Sequence, residues 1–369
     1  MSAARFESAG LADIARKVSD GERLSGEDGL QLLATPHLAA LGALANTVRE
    51  RLHGDRAYFI VNRHINYTNI CVNRCRFCAF SRGPGDADAY VLSVEECLEK
   101  AASFRSGRVS EFHIVGGCHP DLGLDYYTTL LSELRLRFPG VHLQAFTAVE
   151  IAHIARVSGI SVRECFGRLR EAGLGSLPGG GAEVFSSRVR DQLCPQKLSG
   201  DDWLEVMRAA HGLGMRSNCT MLYGHIETPQ EVVDHLLRLR DLQDETAGFL
   251  AFIPLAFHPE NTQLRGEVVG PSAWNHLQVL AVSRLLLDNI PHVKTFWIMV
   301  GLKLAEVGLS FGADDVDGTV VEENITHAAG ARTPEALSIG EIKRLIGRAG
   351  RIPVERDTLY QAADRAGLR

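Results

Sequence analysis

The stretch AYFIVNRHINYTNICVNRCRFCAFSR, Ala57–Arg82, decides how this chain reads. Ala57–Asn66 is rich in β-branched and aromatic residues and reads as a strand. The loop after it holds Cys71, Cys75 and Cys78. Working outward, similar runs recur at Glu111–Gly116, Val141–Thr147, Ser176–Leu177, Arg216–Tyr223, Gly248–Ala256 and His292–Val300, with a short last one near Gly312–Asp315. Between them lie helix-start patterns: Ser93-x-x-Glu96, Ser161-x-x-Glu164, Thr228-Pro-x-Glu231 and Ser338-x-x-Glu341. Strand then helix, repeated about eight times, argues for an α/β fold with a parallel sheet, and fits a (β/α)8 barrel of TIM type better than an open doubly wound sheet. Residues 1–56 read as an N-terminal helical cap, with starts at Ser25-x-x-Asp28 and Thr35-Pro36; 57–330 form the barrel; 331–369 form a C-terminal helical tail packed on it. Chemistry in such a barrel sits at the C-terminal ends of the strands, so polar residues just after each strand are the candidates.

The cysteines follow the first strand with the spacing Cys-x3-Cys-x2-Cys. Three thiolates on a tight loop can each hold one corner of an iron–sulfur cube, leaving one iron open to an outside ligand. The competing arrangement is a zinc site of these cysteines plus a histidine such as His64. Zinc ribbons pair two separated Cys-x2-Cys knuckles, and this chain has no second one. Either way, an iron–sulfur or zinc protein that only binds or transfers electrons is the non-enzyme alternative. The other cysteines, at 97, 118, 165, 194 and 219, are scattered and read as small buried hydrophobes.

A net charge of −6 gives no general attraction to a phosphate backbone, so no nucleic-acid partner is expected. Apolar stretches such as Phe249–Phe257 are too short to span a membrane, and the mixed, charged N-terminus lacks a signal-peptide core. The expected location is cytoplasmic, where structural disulfides are rare.

With Phe77 as its aromatic residue, the cysteine loop resembles the signature of the radical S-adenosylmethionine superfamily. FHIVGGCHPDLGLDYY, QAFTAVEIAHIA, SLPGGGAEVF, TMLYGHIETP, FIPLAFHPENT and GADDVDGTVVEENITHAAGA, in that order, are similar to the aminofutalosine synthase family of the futalosine route to menaquinone. The resemblance runs from about Tyr58 to Tyr360. The cyclase acting on dehypoxanthine futalosine and the deazaflavin synthases share the loop and the barrel, and are the neighbouring alternatives. Leu255, Ala256 and His258, with Asp315 and Asp317, look like the synthase version.

The resemblance implies a 4Fe–4S cluster on Cys71, Cys75 and Cys78, with S-adenosylmethionine consumed as co-substrate. It implies addition of the adenosyl radical to the double bond of 3-[(1-carboxyvinyl)oxy]benzoate, aryl rearrangement and loss of the enol carboxylate. A low-potential one-electron donor such as flavodoxin or ferredoxin is the implied partner. Gly116 and Gly117 match the family's glycine motif near the cofactor's methionine, and Glu183 its acidic contact. Arg188 or Arg190 would pair with the methionine carboxylate. A substrate with two carboxylates and a ring asks for donors and an apolar wall. Asn66, Tyr67 and Thr147 are the substrate-binding candidates, and His119, His225 and His258 the catalytic ones. The plainer reading of each is a structural hydrogen bond. Glu150 and Glu227 stand near helix starts, where acids complement the helix dipole. Asp314, Asp315 and Asp317 read as hydrogen-bond acceptors at the barrel mouth rather than a second metal site.

Overall fold

The helices begin largely where the sequence signals place them. Ser25, Ser93, Thr228 and Ser338 each accept the backbone N–H three residues on, and the acidic side chain there accepts from the cap's own N–H. Ser161 caps its helix through the Glu164 N–H. Thr35-Pro36 lies short of its helix, Leu38–His53, whose first turn follows His37.

The computed structural model describes residues 3–103 and 108–361. Its strands are β1 (Arg56–Ile60), β2 (Asn62–Ile65), β3 (Glu111–Ile114), β4 (His142–Ala145), β5 (Ser176–Leu177), β6 (Arg216–Tyr223), β7 (Phe249–Ala256), β8 (His292–Val293), β9 (Asp315–Gly318) and β10 (Ile352–Glu355). Strands β2 to β8 form one sheet in sequence order, every pairing parallel. A smaller sheet runs β10-β1-β9. The single first strand expected over Ala57–Asn66 is thus broken at Val61. Of His292–Val300 only the first two residues are strand, because Trp297–Val300 turns into a short helix.

Backbone bonds join the two sheets on both sides: Thr295 N–H to Asp315 O (2.8 Å) and Asp314 N–H to Val293 O (3.0 Å) on one, His64 N–H to Val321 O (3.0 Å) on the other. The large sheet therefore curls into a partial TIM barrel with helices outside. Trp203 and Trp297 are fully buried, and each indole N–H reaches a carbonyl on a strand-end segment, Gly180 (3.1 Å) and Gly318 (2.9 Å). Left unpaired, such a buried donor would cost about 1–3 kcal/mol, so these contacts fix the loops at the mouth.

The N-terminal residues form helices Ala3–Ser8, Ala12–Asp20, Gly26–Ala34 and Leu38–His53. The last packs against the helix Ala273–Leu286. The C-terminal stretch expected as a helical tail carries a helix, Ile339–Arg348, and then β10, which pairs with β1 from Arg56–Ile352 to Phe59–Glu355. Residues 362–369 of that stretch lie outside the described residues. Among the described residues no helix is long and apolar enough to cross a membrane.

The interior is more polar than barrel interiors, which branched apolar side chains usually fill. Inward positions recur with the two-residue period of a strand: Glu111, His113 and Val115 on and after β3 all line one cavity, beside His64 of β2 and Gln144 of β4. The register puts His64 beside His113, and His113 beside Gln144.

Candidate functional site

The loop after β2 is pinned from several sides. Cys71 N–H donates to Arg82 O (3.0 Å), Val72 N–H to Cys118 O (3.0 Å) and Arg76 N–H to Leu193 O (2.8 Å). Arg74 turns it with φ 45°. Gly117 is needed for the close approach, since a Cβ there would lie 2.2 Å from Ile70 O and 3.0 Å from Cys71 Cβ. Cys71, Cys75 and Cys78 all line a cavity of about 310 Å³.

Among the described residues, one trio of metal-type ligands has all donor atoms within 4.8 Å of one another: His53, His292 and Asp314. The loop thiols are not gathered that tightly, whereas thiolates on one tetrahedral zinc sit about 3.8 Å apart. Three spread thiols facing one cavity suit the corners of an iron–sulfur cube. The Cys71 thiol is drawn down to about 5, chiefly by its hydrogen bond with Cys118. Burial raises Cys78, so metal binding would have to deprotonate it. The His53–His292–Asp314 trio lies at the opposite end of the strands, and the buried Arg284 guanidinium shares the Asp314 carboxylate at 2.5 Å.

Beside the thiols sits a cation that the sequence did not single out. Lys197 is paired with Glu183 at 2.5 Å, and its ammonium lies 5.4 Å from the Phe77 ring centroid. Burial presses its pKa down, but Glu183 and the thiols of Cys75 and Cys194 outweigh that and hold it raised. Glu183 itself adopts φ 52°, a conformation costly for a residue with a Cβ. The two arginines are engaged elsewhere. Arg188 pairs with Glu231 (2.6 Å) at the surface, and buried Arg190 donates to the carbonyls of Ala182 (2.7 Å) and Leu198. Neither lines the cavity.

The other sequence candidates divide. Gly116, Gly117, Thr147, Glu183 and His258 line the cavity. His258 Nε2 is held by Met299 O at 2.9 Å, and the Thr147 hydroxyl caps the helix Ala148–Val157. Tyr67 is fully buried behind the wall. Its hydroxyl donates to Glu150 (2.8 Å), which also accepts the N–H groups of Gly116 (2.9 Å) and Thr147 (2.7 Å). Asn66 braces two segments, donating to Val115 O and accepting from the Asn324 N–H. His119 stands outside, its Nδ1 accepting from the Asp121 N–H. His225 is outside as well, its ring bonded to Leu222 O and the Ile226 N–H beside Glu227.

The three aspartates are acceptors, as expected, but not all at the mouth. Asp314 and Asp315 sit at the start of β9, held by Arg284 and Arg356; Asp317 alone reaches the cavity, paired with Lys294 at 3.0 Å. Sequence reading missed Lys197, Lys294, His113, Glu111 and Gln144. For Glu111, His113 and Gln144 the available signal was polar residues inside buried strands; Lys197, in a loop between two helices, carried none.

Comparison with known proteins places these features. The Radical SAM superfamily matches residues 65–239, and the CofH/MqnC C-terminal region matches residues 246–367. The chain is 47% identical to an aminodeoxyfutalosine synthase of Thermus thermophilus over 354 residues, 95% of each chain. It is 42% identical to a 5-amino-6-(D-ribitylamino)uracil–L-tyrosine 4-hydroxyphenyl transferase of Methanopyrus kandleri, covering 86% of this chain and 87% of that one. Among solved structures, methylornithine synthase superposes with a TM-score of 0.72 at 18% identity, covering 92% of this chain and 96% of that one, a likeness of fold alone.

Proposed function

The chain belongs to the radical SAM superfamily, in its aminodeoxyfutalosine synthase branch, and from that premise we propose that it joins the adenosyl group of S-adenosylmethionine to 3-[(1-carboxyvinyl)oxy]benzoate. The observation that carries this reading is the sharing of one cavity by the three loop thiols, the Lys197–Glu183 pair and a polar floor.

A 4Fe–4S cluster on Cys71, Cys75 and Cys78 supplies, when bound, the single electron that splits S-adenosylmethionine into methionine and a 5′-deoxyadenosyl radical. Lys197 takes the methionine carboxylate, in place of Arg188 or Arg190, with Glu183 as its counter-ion. Val149, Leu222, Ile253, Leu255 and Phe257 line the cavity and keep water from the reacting carbon. The adenosyl C5′ bonds to the enol-ether methylene, the aryl group moves from oxygen to the adjacent carbon, and the alkoxyl radical so formed expels the enol carboxylate as carbon dioxide, the odd electron passing back to the one-electron carrier, to leave an aryl ketone. His258, the one of the three histidines chosen as catalytic candidates that faces the cavity, holds or passes a proton. The electron comes from a low-potential donor such as flavodoxin or ferredoxin, in a reducing cytoplasmic compartment.

The test is anaerobic reconstitution with iron and sulfide, then incubation with S-adenosylmethionine, reductant and the enolpyruvyl benzoate. One product carrying both adenosyl and aryl groups is expected by mass. Free 5′-deoxyadenosine as the main organic product overturns the reading in favour of the cyclase. Turnover of tyrosine with 5-amino-6-(D-ribitylamino)uracil instead favours the transferase.

A further inference from the structure

The cavity floor carries polar groups that nothing among the described residues satisfies. His64 is buried, with 5% of its surface exposed, and its Nε2 has no hydrogen-bond partner among the described residues. Lys294, also 5% exposed, gives one hydrogen bond among the described residues, to Asp317 Oδ2 at 3.0 Å. An ammonium has three N–H donors, and leaving buried donors empty is costly. Both side chains line the cavity. Their setting is built, not incidental. Asp317 holds Lys294 from a strained backbone with φ 70°, and Asn62 Nδ2 fixes its second oxygen at 3.3 Å. The His64 ring stacks on His113, centroids 4.4 Å apart and planes 14° from parallel. His113 Nδ1 faces Gln144 Oε1 at 3.2 Å. An amide oxygen only accepts, so this nitrogen donates and the pair is locked in place.

We propose that His64 and Lys294 hold the ring carboxylate of the substrate, and so decide that a benzoate, and not an uncharged arene, is accepted. This rests on the function proposed above and names the subsite that recognises the far end of that substrate. The direction follows from the strand. From His113 up to Gly116, beside the cysteine loop, is about 10 Å at strand rise. A carboxylate anchored on the floor therefore sends the enol ether towards the thiols. Ile253, Leu255 and Phe296 supply apolar walls between. Glu111, the negative group on the same floor, lies 4.0 Å from His113 Nδ1, so the anion is held on the side of His64 and Lys294. Lys197 stays free for the cofactor's own carboxylate.

The experiment compares the benzoate substrate with its ring methyl ester in reconstituted holoenzyme, alongside calorimetric binding of 3-methoxybenzoate, which cannot react. Wild type should prefer the acid on the order of 100-fold in kcat/KM, mainly through KM. Lys294→Met should shrink that preference to within about threefold and abolish 3-methoxybenzoate binding, with Lys294→Arg restoring part of both. Lys294→Met leaves Asp317 unpaired, so Lys294→Met/Asp317→Asn serves if the single variant fails to fold. His64→Phe keeps the stacking ring and removes the donor, and should lower the preference on its own. An ester accepted as well as the acid by wild type, or a preference untouched in all these variants, overturns the subsite while the function stands. No turnover of the acid by wild type, with 3-methoxybenzoate bound and that binding lost in Lys294→Met, overturns the function while the subsite stands.

Discussion

Tyr67, in the loop after β2, meets Glu150, in the first turn of the helix after β4: the phenol donates to the carboxylate at 2.8 Å, both groups buried. Because Glu150 also takes the N–H groups of Gly116 and Thr147, one acid ties together the strand ends that carry the cysteine loop, the glycine pair and the next helix. Tyr67→Phe should cost about 1–2 kcal/mol in urea unfolding with cluster content unchanged, since one donor of three is lost. Glu150→Ala strands more groups and should cost about 3 kcal/mol, with iron retention falling. Equal effects of the two changes would contradict this account.

The choice of cation is open to direct measurement. Lys197→Met should raise the KM for S-adenosylmethionine at least about tenfold. Arg188→Ala should leave it unchanged and shift stability little, its pair with Glu231 being a surface one. An increase in KM confined to Arg188→Ala would return the role to the arginine.

Cysteine ligation has its own signature. Cys75→Ala should abolish both the cluster absorbance and the turnover, whereas Cys165→Ala, buried on the helix Val162–Ala172 and outside the cavity lining, should keep both. Cluster absorbance surviving Cys75→Ala rules out the assigned ligand set.

Glycine positions supply a steric control. Gly117→Ala drives a methyl into Ile70 O and should displace the cysteine loop, giving protein that binds little iron. Gly123→Ala meets no atom of the described residues within 4 Å and should behave as wild type. The readout is iron per chain after reconstitution.

Acid should weaken the fold through histidines that do not line the cavity. Burial is the largest cause holding His211, His235 and His276 down to about 4, 3 and 4. Unfolded, each titrates near about 6.5. Folded values below the unfolded one mean that stability is complete above about pH 6.5 and is lost as pH falls towards 4. The loss is about 1.4 kcal/mol per pH unit for each ring. His211→Asn should therefore flatten the fall of Tm between pH 6.5 and 4.5 by about one proton's worth; an identical slope would refute the assignment.

Much of this was open to a reader of the chain alone. The triad, the succession of βα units and most helix starts are local signals, written in spacing and caps that need no tertiary partner. Lys197 was not legible, because its meaning comes from Glu183 and Phe77, which folding brings beside it. The arginines misled for the same reason: near the expected site in sequence, they are consumed by Glu231 and by loop carbonyls. The floor was hidden differently. Attention to strand ends passes over residues within strands, and a histidine or lysine there looks unfit for a buried sheet until the cavity shows what it faces. The break at Val61 and the late strand β10 were invisible because both depend on pairing with residues some 250 or more positions away.

That distant pairing constrains how the molecule is made. Strand β1 has β9 on one side and β10 on the other, so neither flank exists while the first two-thirds of the chain is leaving the ribosome. Until residues 315–355 emerge, β1 is a bare edge of the kind that recruits other chains. Protein halted or truncated before β10 should be more aggregation-prone than its loss of area alone suggests, and metal insertion belongs after synthesis rather than during it.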